Sequence, residues 1–216
     1  TLLAAFVVAL YTGMEVMVVR ARPLWFTPFL PAQFAATAFV GAVGLALLFN
    51  RFLPGRDQAL EVSLNRALAL SLALVLALGG GWLFVSLSGV SASHSMAFTQ
   101  VAGMPQWQFT AVWAVLSSIV PMALAIWRPA TSGLANGLIA LHSAWMMRWT
   151  IFIGGQNIPK TGAGLYDYHL PMGNDGLMGI IGTAGLWIAL LLLMLEFLPW
   201  AGRVVAARSR PAMATH

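Results

Sequence analysis

The sequence predicts an all-α fold, a polytopic transmembrane helix bundle with about six spans, and three observations carry that expectation. Of its 216 residues, 60% are hydrophobic and only 8% charged. With a mean hydropathy of +0.83, this is a composition that a water-soluble domain could not place on its surface. The apolar runs are continuous and do not alternate, which points to helices and away from barrel strands. Six of them approach the ~20 residues that a helix needs to cross a hydrocarbon core of roughly 30 Å.

Taken in order, the first run is Thr1 to Val19. It lacks an initiator Met, a charged leader and a small-residue cleavage site, so a signal peptide is disfavoured. Residues 1–216 are therefore expected to form a single transmembrane domain, the C-terminal part of a larger subunit. The second run is Phe29 to Phe49 and the third Leu64 to Leu87. Within the third, Gly79, Gly80 and Gly81 each weaken a helix by about 1 kcal/mol relative to alanine. A kink or local unwinding is expected there, with the outward half of the helix lining a cavity. The fourth run, Trp107 to Trp127, contains Pro121, which removes a backbone donor and should bend it. The fifth, Gly133 to Ile153, carries His142 and Arg148. In the sixth, Gly176 to Leu198, glycines at 176, 179, 182 and 185 form a groove for close helix packing.

The net charge of +5 does not mark a nucleic-acid binder, because the arginines lie at the ends of apolar runs and read as topology signals. Seven of them, Arg51, Arg56, Arg66, Arg128, Arg203, Arg208 and Arg210, fall on one side, against Arg20, Arg22 and Lys160 on the other. The richer side should be cytoplasmic, and the C-terminus with it. Alkaline phosphatase fused after Arg210 is thus expected to be inactive, and a strongly active fusion would reverse the orientation. Loops 20–28, 88–106 and 154–175 then lie outside. With no cysteine, a disulfide, a thiolate-held iron-sulfur cluster and covalent c-type haem are excluded. His142 is the one histidine well inside a span, whereas His94, His169 and His216 fall in loops or the tail, so a bis-histidine haem is not expected either. No metal-ligand cluster, phosphate loop or nucleophile-base arrangement is visible.

Two passages carry a family resemblance. Tyr11-Thr12-Gly13, followed by Arg20-Ala21-Arg22-Pro23-Leu24-Trp25 and Pro28, resembles a helix end of the NrfD-like membrane subunits of polysulfide reductase and its relatives; Arg148 with Gly154-Gly155-Gln156 is similar to a second stretch of the same family. The passage from Gln156 through Tyr166-Asp167-Tyr168-His169 to Gly176 resembles the phenylacetyl-CoA acceptor oxidoreductase-like branch. The resemblance implies a multi-pass subunit in the bacterial inner membrane. It would exchange electrons with quinone, menaquinone or ubiquinone, and hold no haem or iron-sulfur cluster itself. The implied partners are a four-cluster ferredoxin-like iron-sulfur subunit and a molybdopterin catalytic subunit, with no nucleic acid. It also implies that the family's quinone pocket draws on an early helix that this sequence does not contain.

The residues can also be read by their own chemistry. Tyr11 and Glu15, four apart, share a face of the first helix about one turn from its outer end. Arg148 lies at a similar depth, roughly 9 Å short of Gly154 at helical rise. A guanidinium inside a membrane helix costs several kcal/mol alone and is expected to have a partner and a task. Glu15 and Arg148 are therefore expected to pair, and with Tyr11 they are the candidates for proton relay beside quinone, against the plainer possibility of a structural pin. His142, Gln156 and Trp145 are the candidates for quinone contact, although a packed core histidine is an equally ordinary role for His142. Trp25, Trp107, Trp127 and Trp200 fit an interfacial belt, while deeper tryptophans could wall a flat ring site. Two other functions stay open: a secondary transporter whose translocation path is formed by a broken third helix and the Glu15, His142 and Arg148 charges, and a purely structural anchor. Quinone-dependent electron transfer by the complex separates the first reading from both.

Overall fold

The computed structural model describes residues 2–52, 55–158 and 170–197. Among them are seven α-helices and no strand: α1 (Leu2–Met17), α2 (Phe29–Phe52), α3 (Gln58–Leu87), α4 (Ala92–Ala102), α5 (Pro105–Trp127), α6 (Gly133–Asn157) and α7 (Leu177–Phe197). By length and hydropathy α2, α3, α5 and residues Leu177–Met194 of α7 qualify as membrane spans. Two of the six expected spans need a different account. α1 is apolar but has 16 residues. α6 has 25, and its polar residues, among them Asn136, His142, Ser143, Arg148 and Thr150, lower its hydropathy; most of these face neighbouring helices.

Local chemistry sets several boundaries that hydropathy missed. α3 begins six residues before the apolar run because the Asp57 carboxylate accepts the N–H groups of Ala59 at 2.8 Å and Leu60 at 3.2 Å, satisfying donors that a helix start leaves open. Asn50 holds the cap by exchanging two hydrogen bonds with the Asp57 backbone. α5 opens on Pro105, whose missing N–H has no intrahelical role there. The stretch 88–106, expected as a loop, contains α4. The expected unwinding at Gly79-Gly80-Gly81 does not occur, and α3 stays helical through all three. With it goes the broken helix, one of the two features on which the transporter reading rested.

The chain divides by internal contacts into two units, residues 1–167 and 168–216. In the first, α2 packs on α3 and α6, and α5 packs on the same two, so these four helices close a bundle with α1 on the outside of α2 and α4 across α3 and α5. Its core runs along Val40, Val43 and Leu47 of α2 and Leu68, Leu72 and Val75 of α3, with Ala114, Ala140 and Met147 completing it. A second cluster of Leu24, Val101, Met104 and Ile158 closes the end beside α4. In the second unit, the Leu177 N–H donates to the Pro171 carbonyl at 2.8 Å, closing the turn that leads into α7. Lys160, Tyr166, Asp167, Tyr168, His169, Trp200 and the arginines at 203, 208 and 210 lie outside the described residues.

Candidate functional site

Two stretches more than a hundred residues apart in sequence meet at one end of the bundle. Arg22, in the α1–α2 connection, donates from Nη1 to the carbonyls of Gly155 at 3.1 Å and Gln156 at 3.0 Å, and also to that of Ile158. These are the carbonyls a helix end leaves without intrahelical donors, and a cation there complements the negative end of the α6 dipole. Trp25 adds a bond from Nε1 to the Ile151 carbonyl at 2.9 Å and packs edge-on against Phe152. Both approaches require glycine. A Cβ on Gly155 would stand 2.0 Å from Trp25 Nε1, and one on Gly154 would stand 2.4 Å from the Trp107 ring. Arg22 thus caps α6, and Trp25 pins its last turns from the side.

Inside this end lies a cavity of about 350 Å³ between α2, α3, α5 and α6. Leu24, Trp82 and Trp107 line its outer part, Gly79 and Gly80 give it a smooth wall on α3, and Thr150 and Met147 face it from α6. Two of the lining side chains carry buried polar atoms without a hydrogen-bond partner: Gln33 Oε1 and Trp107 Nε1. Unpaired buried groups cost a few kcal/mol; both atoms are closed off by neighbouring protein, Trp107 Nε1 against Gly154, so an occupant would meet them only once their side chains turn toward the cavity. Indole N–H is a donor only, while an amide offers either a donor or an acceptor according to its rotation. An apolar slot of this size with a few polar groups fits a flat ring bearing oxygens.

Beside the cavity, Arg148 is half-buried and held by α2. Its Nη2 donates to the Phe34 carbonyl at 3.1 Å, its Nε to Thr37 Oγ1 at 3.2 Å, and its guanidinium lies 5.4 Å from the centre of the Phe34 ring. Thr37 in turn donates to the carbonyl of Gln33 at 2.9 Å, so Arg148 braces the turn of α2 that presents Gln33. On the outer side, Thr27 and Ser91 bond the two ring nitrogens of His94, at 2.9 and 2.7 Å. Burial pushes the His94 pKa below its ordinary value, and a neutral ring can serve one hydroxyl as donor and the other as acceptor.

The expected Glu15–Arg148 pair does not form. Among the described residues the one ion pair is Arg56–Glu61, and Glu15 instead accepts from the Tyr11 hydroxyl. The reason is azimuth. Gly13 faces α2, where its Cβ would lie 2.5 Å from Pro31 Cα; Tyr11 and Glu15, two residues to either side, are turned about 200° from it and point outward. Matched depth alone did not reveal that turn. His142 and Trp145 also face outward. His142 Nε2 accepts from Trp113 Nε1 at 2.7 Å, and Trp145 stacks on Trp149. Gln156 contributes its backbone to the Arg22 cap. None of the six sequence candidates lines the cavity; Arg148 comes nearest, through Thr37. The residues whose role sequence reasoning did not find are Gln33, a glutamine four residues into an apolar run, and Arg22, which had been counted as a topology charge and as part of the family resemblance. The first could have been found as a polar residue inside a span, the second only from the fold.

A family model described as "Polysulphide reductase, NrfD" matches residues 1–160. The chain is also similar to a tetrathionate reductase subunit of Salmonella typhimurium strain LT2, at 33% identity over 207 residues that cover 91% of this chain and 57% of that protein. It therefore spans little more than half the length of that curated relative. No solved structure matches it.

Proposed function

The chain belongs to the polysulphide reductase NrfD family, and from that premise we propose that it is part of the membrane subunit of a reductase complex, exchanging electrons between an iron-sulfur partner and the quinone pool. The observation that supports this most is the cavity: an apolar slot large enough for a ring, with Gln33 and Trp107 carrying polar atoms that no protein group satisfies. With the indole turned toward the cavity, a quinone carbonyl would accept from the Trp107 N–H. The Gln33 amide would donate to a second carbonyl in the oxidised ring and, rotated, accept from a hydroxyl in the reduced one, so the same two side chains serve both ends of the reaction. Reduction converts two C=O bonds to C–OH with two electrons and two protons. A ferredoxin-like subunit of four clusters, joined in turn to a molybdopterin subunit, exchanges these electrons with the ring and docks on the face formed by the α1–α2 connection, α4 and the end of α6. Menaquinone and ubiquinone both present the required oxygens. Tyr11 and Glu15 remain a hydrogen-bonded donor and acceptor on the outward face of α1, available for proton exchange with whatever packs there.

The reading is tested on the full-length complex with reduced viologen as donor. Gln33→Leu and Trp107→Phe each remove one hydrogen bond, and each should raise the quinone KM by roughly three- to tenfold without reducing the amount of assembled complex. Unchanged KM in both variants would remove the cavity from the quinone reaction. Solute uptake by the full-length chain alone, with no quinone reduction by the complex, would favour a transporter.

A further inference from the structure

The cavity between α2, α3, α5 and α6 is not closed evenly. Its lining residues from the α1–α2 connection, α2 and α6 are all buried or half-buried. The exposed ones stand on α3 and α5 alone: Gly80, Leu83 at 38% and Val115 at 41%. Gly80 and Leu83 share a face of α3 with the half-buried Leu76 and Gly79, so the wall grades from interior to surface along one side of that helix. Between the two leucines this face carries only glycine, and nothing stands within 4 Å of a Cβ built on Gly79 or Gly80. α3 thus leaves room at this level that a side chain would otherwise fill. The mouth so formed lies within the spans. At helical rise, Gly80 and Leu83 stand about 10 and 6 Å before the end of α3, and Val115 about 15 Å past the start of α5. Both helices qualify as membrane spans. None of the three exposed lining residues has a polar side chain, whereas Thr27, Gln33 and Thr150 stand on the other walls.

We propose that this mouth seats the hydrocarbon tail of a quinone, whose ring occupies the cavity while the tail leaves between α3 and α5 into lipid. The inference rests on the reading of the cavity as a quinone site. Volume is the first argument. About 350 Å³ is near the lower end of ligand pockets, room for a ring with little left for a tail of several isoprene units. The tail must therefore leave the cavity, and an exit into water would expose its hydrocarbon. The rim of Gly80, Leu83 and Val115 instead opens at a depth where the solvent is itself hydrocarbon. Polarity then orients the ligand, with ring oxygens toward Gln33 and Thr150 and the tail toward Val115. Because lipid is as apolar as leucine, the tail gains little free energy at the mouth; what the mouth decides is which molecules fit. Narrowing it penalises a tail for as long as the ring is bound, whereas a tailless ring meets the narrowing only in passing.

Two measurements on the full complex in lipid vesicles test it. In the first, a quinone analogue with a diazirine near the ring end of its tail is photolysed in place and the labelled residues are located by mass spectrometry. Label is expected within residues 80–83 of α3 or 111–115 of α5, and it should fall when unmodified tailed quinone is added. In the second, turnover is driven by reduced viologen. Val115→Trp should raise the KM of a tailed quinone by about tenfold or more, the effect of a clash of modest size, and that of menadione, which has no tail, by less than about twofold. Leu83→Trp narrows the mouth from the opposite helix and carries the test if Val115→Trp does not assemble. Displaceable label confined to α2, α6 or the α1–α2 connection overturns the proposal, as does an equal change, or none, in the two KM values. Label at the mouth that tailed quinone does not displace makes the gap a seat for lipid and overturns it too. A wild-type complex that reduces neither substrate overturns the functional reading of the cavity instead.

Discussion

Gly155→Val is expected to abolish accumulation of the assembled subunit. A side chain at that position starts 2.0 Å from the Trp25 indole nitrogen, in the space through which Trp25 reaches the Ile151 carbonyl and Arg22 reaches the end of α6. Overpacking a filled site costs about 1–3 kcal/mol for a modest intrusion, and here it also frees helix-end carbonyls that Arg22 satisfies. The milder Gly155→Ala should lower the thermal stability of the detergent-solubilised complex. The loss should shrink in a Trp25→Phe background, which removes the colliding nitrogen; that coupling is the specific signature of the contact. Wild-type stability in Gly155→Ala would show that α6 and the α1–α2 connection do not meet as described.

The second large effect belongs to Arg148. Arg148→Leu deletes donors to the Phe34 carbonyl and Thr37, and hydrogen bonds from charged groups contribute roughly 1.5–3 kcal/mol each at most. It should destabilise the complex by about that amount and raise the quinone KM through the loosened Gln33 turn. Arg148→Lys should recover little, since an ammonium lacks the planar fork that reaches both acceptors. Glu15→Gln is expected to leave both quantities near wild type, and its effect should add to that of Arg148→Leu, because Glu15 bonds Tyr11 and not the guanidinium. A coupling energy of about 1 kcal/mol or more, on the order expected for residues in contact, would restore the pair that matched depth suggested.

What the sequence made legible follows from which forces act locally. Hydropathy located every long helix, because lipid imposes its demand residue by residue. The end caps were legible in principle, since Asp57 and Pro105 act on their immediate neighbours. α4 was missed because an 11-residue helix needs no membrane-spanning run; it is held by packing on α3 and α5. The meeting of Arg22 and Trp25 with Gly155 was out of reach for a different reason. It joins residues over 120 positions apart, and nothing in either string says which helix its partner stands on. The two passages that carried the family resemblance turned out to be one place, which gives a physical reason for their glycines and tryptophan. The expected Glu15–Arg148 pair failed because depth was used without azimuth: Glu15 points outward, and His142, central in its span, faces Trp113 of α5.

The glycine run of α3 has a consequence for how this protein could change over time. Nothing stands within 4 Å of a Cβ placed on Gly79 or Gly80, and both border the cavity. Alanine at either would also favour the helix by about 1 kcal/mol. These positions are thus open to substitution without harm to folding, and each added carbon narrows the slot while leaving Gln33 and Trp107 untouched. Related chains could diverge in the ring they admit by single codon changes here, and resistance to a ring-shaped inhibitor would arise first at these two codons, before any residue that grips the occupant had to alter.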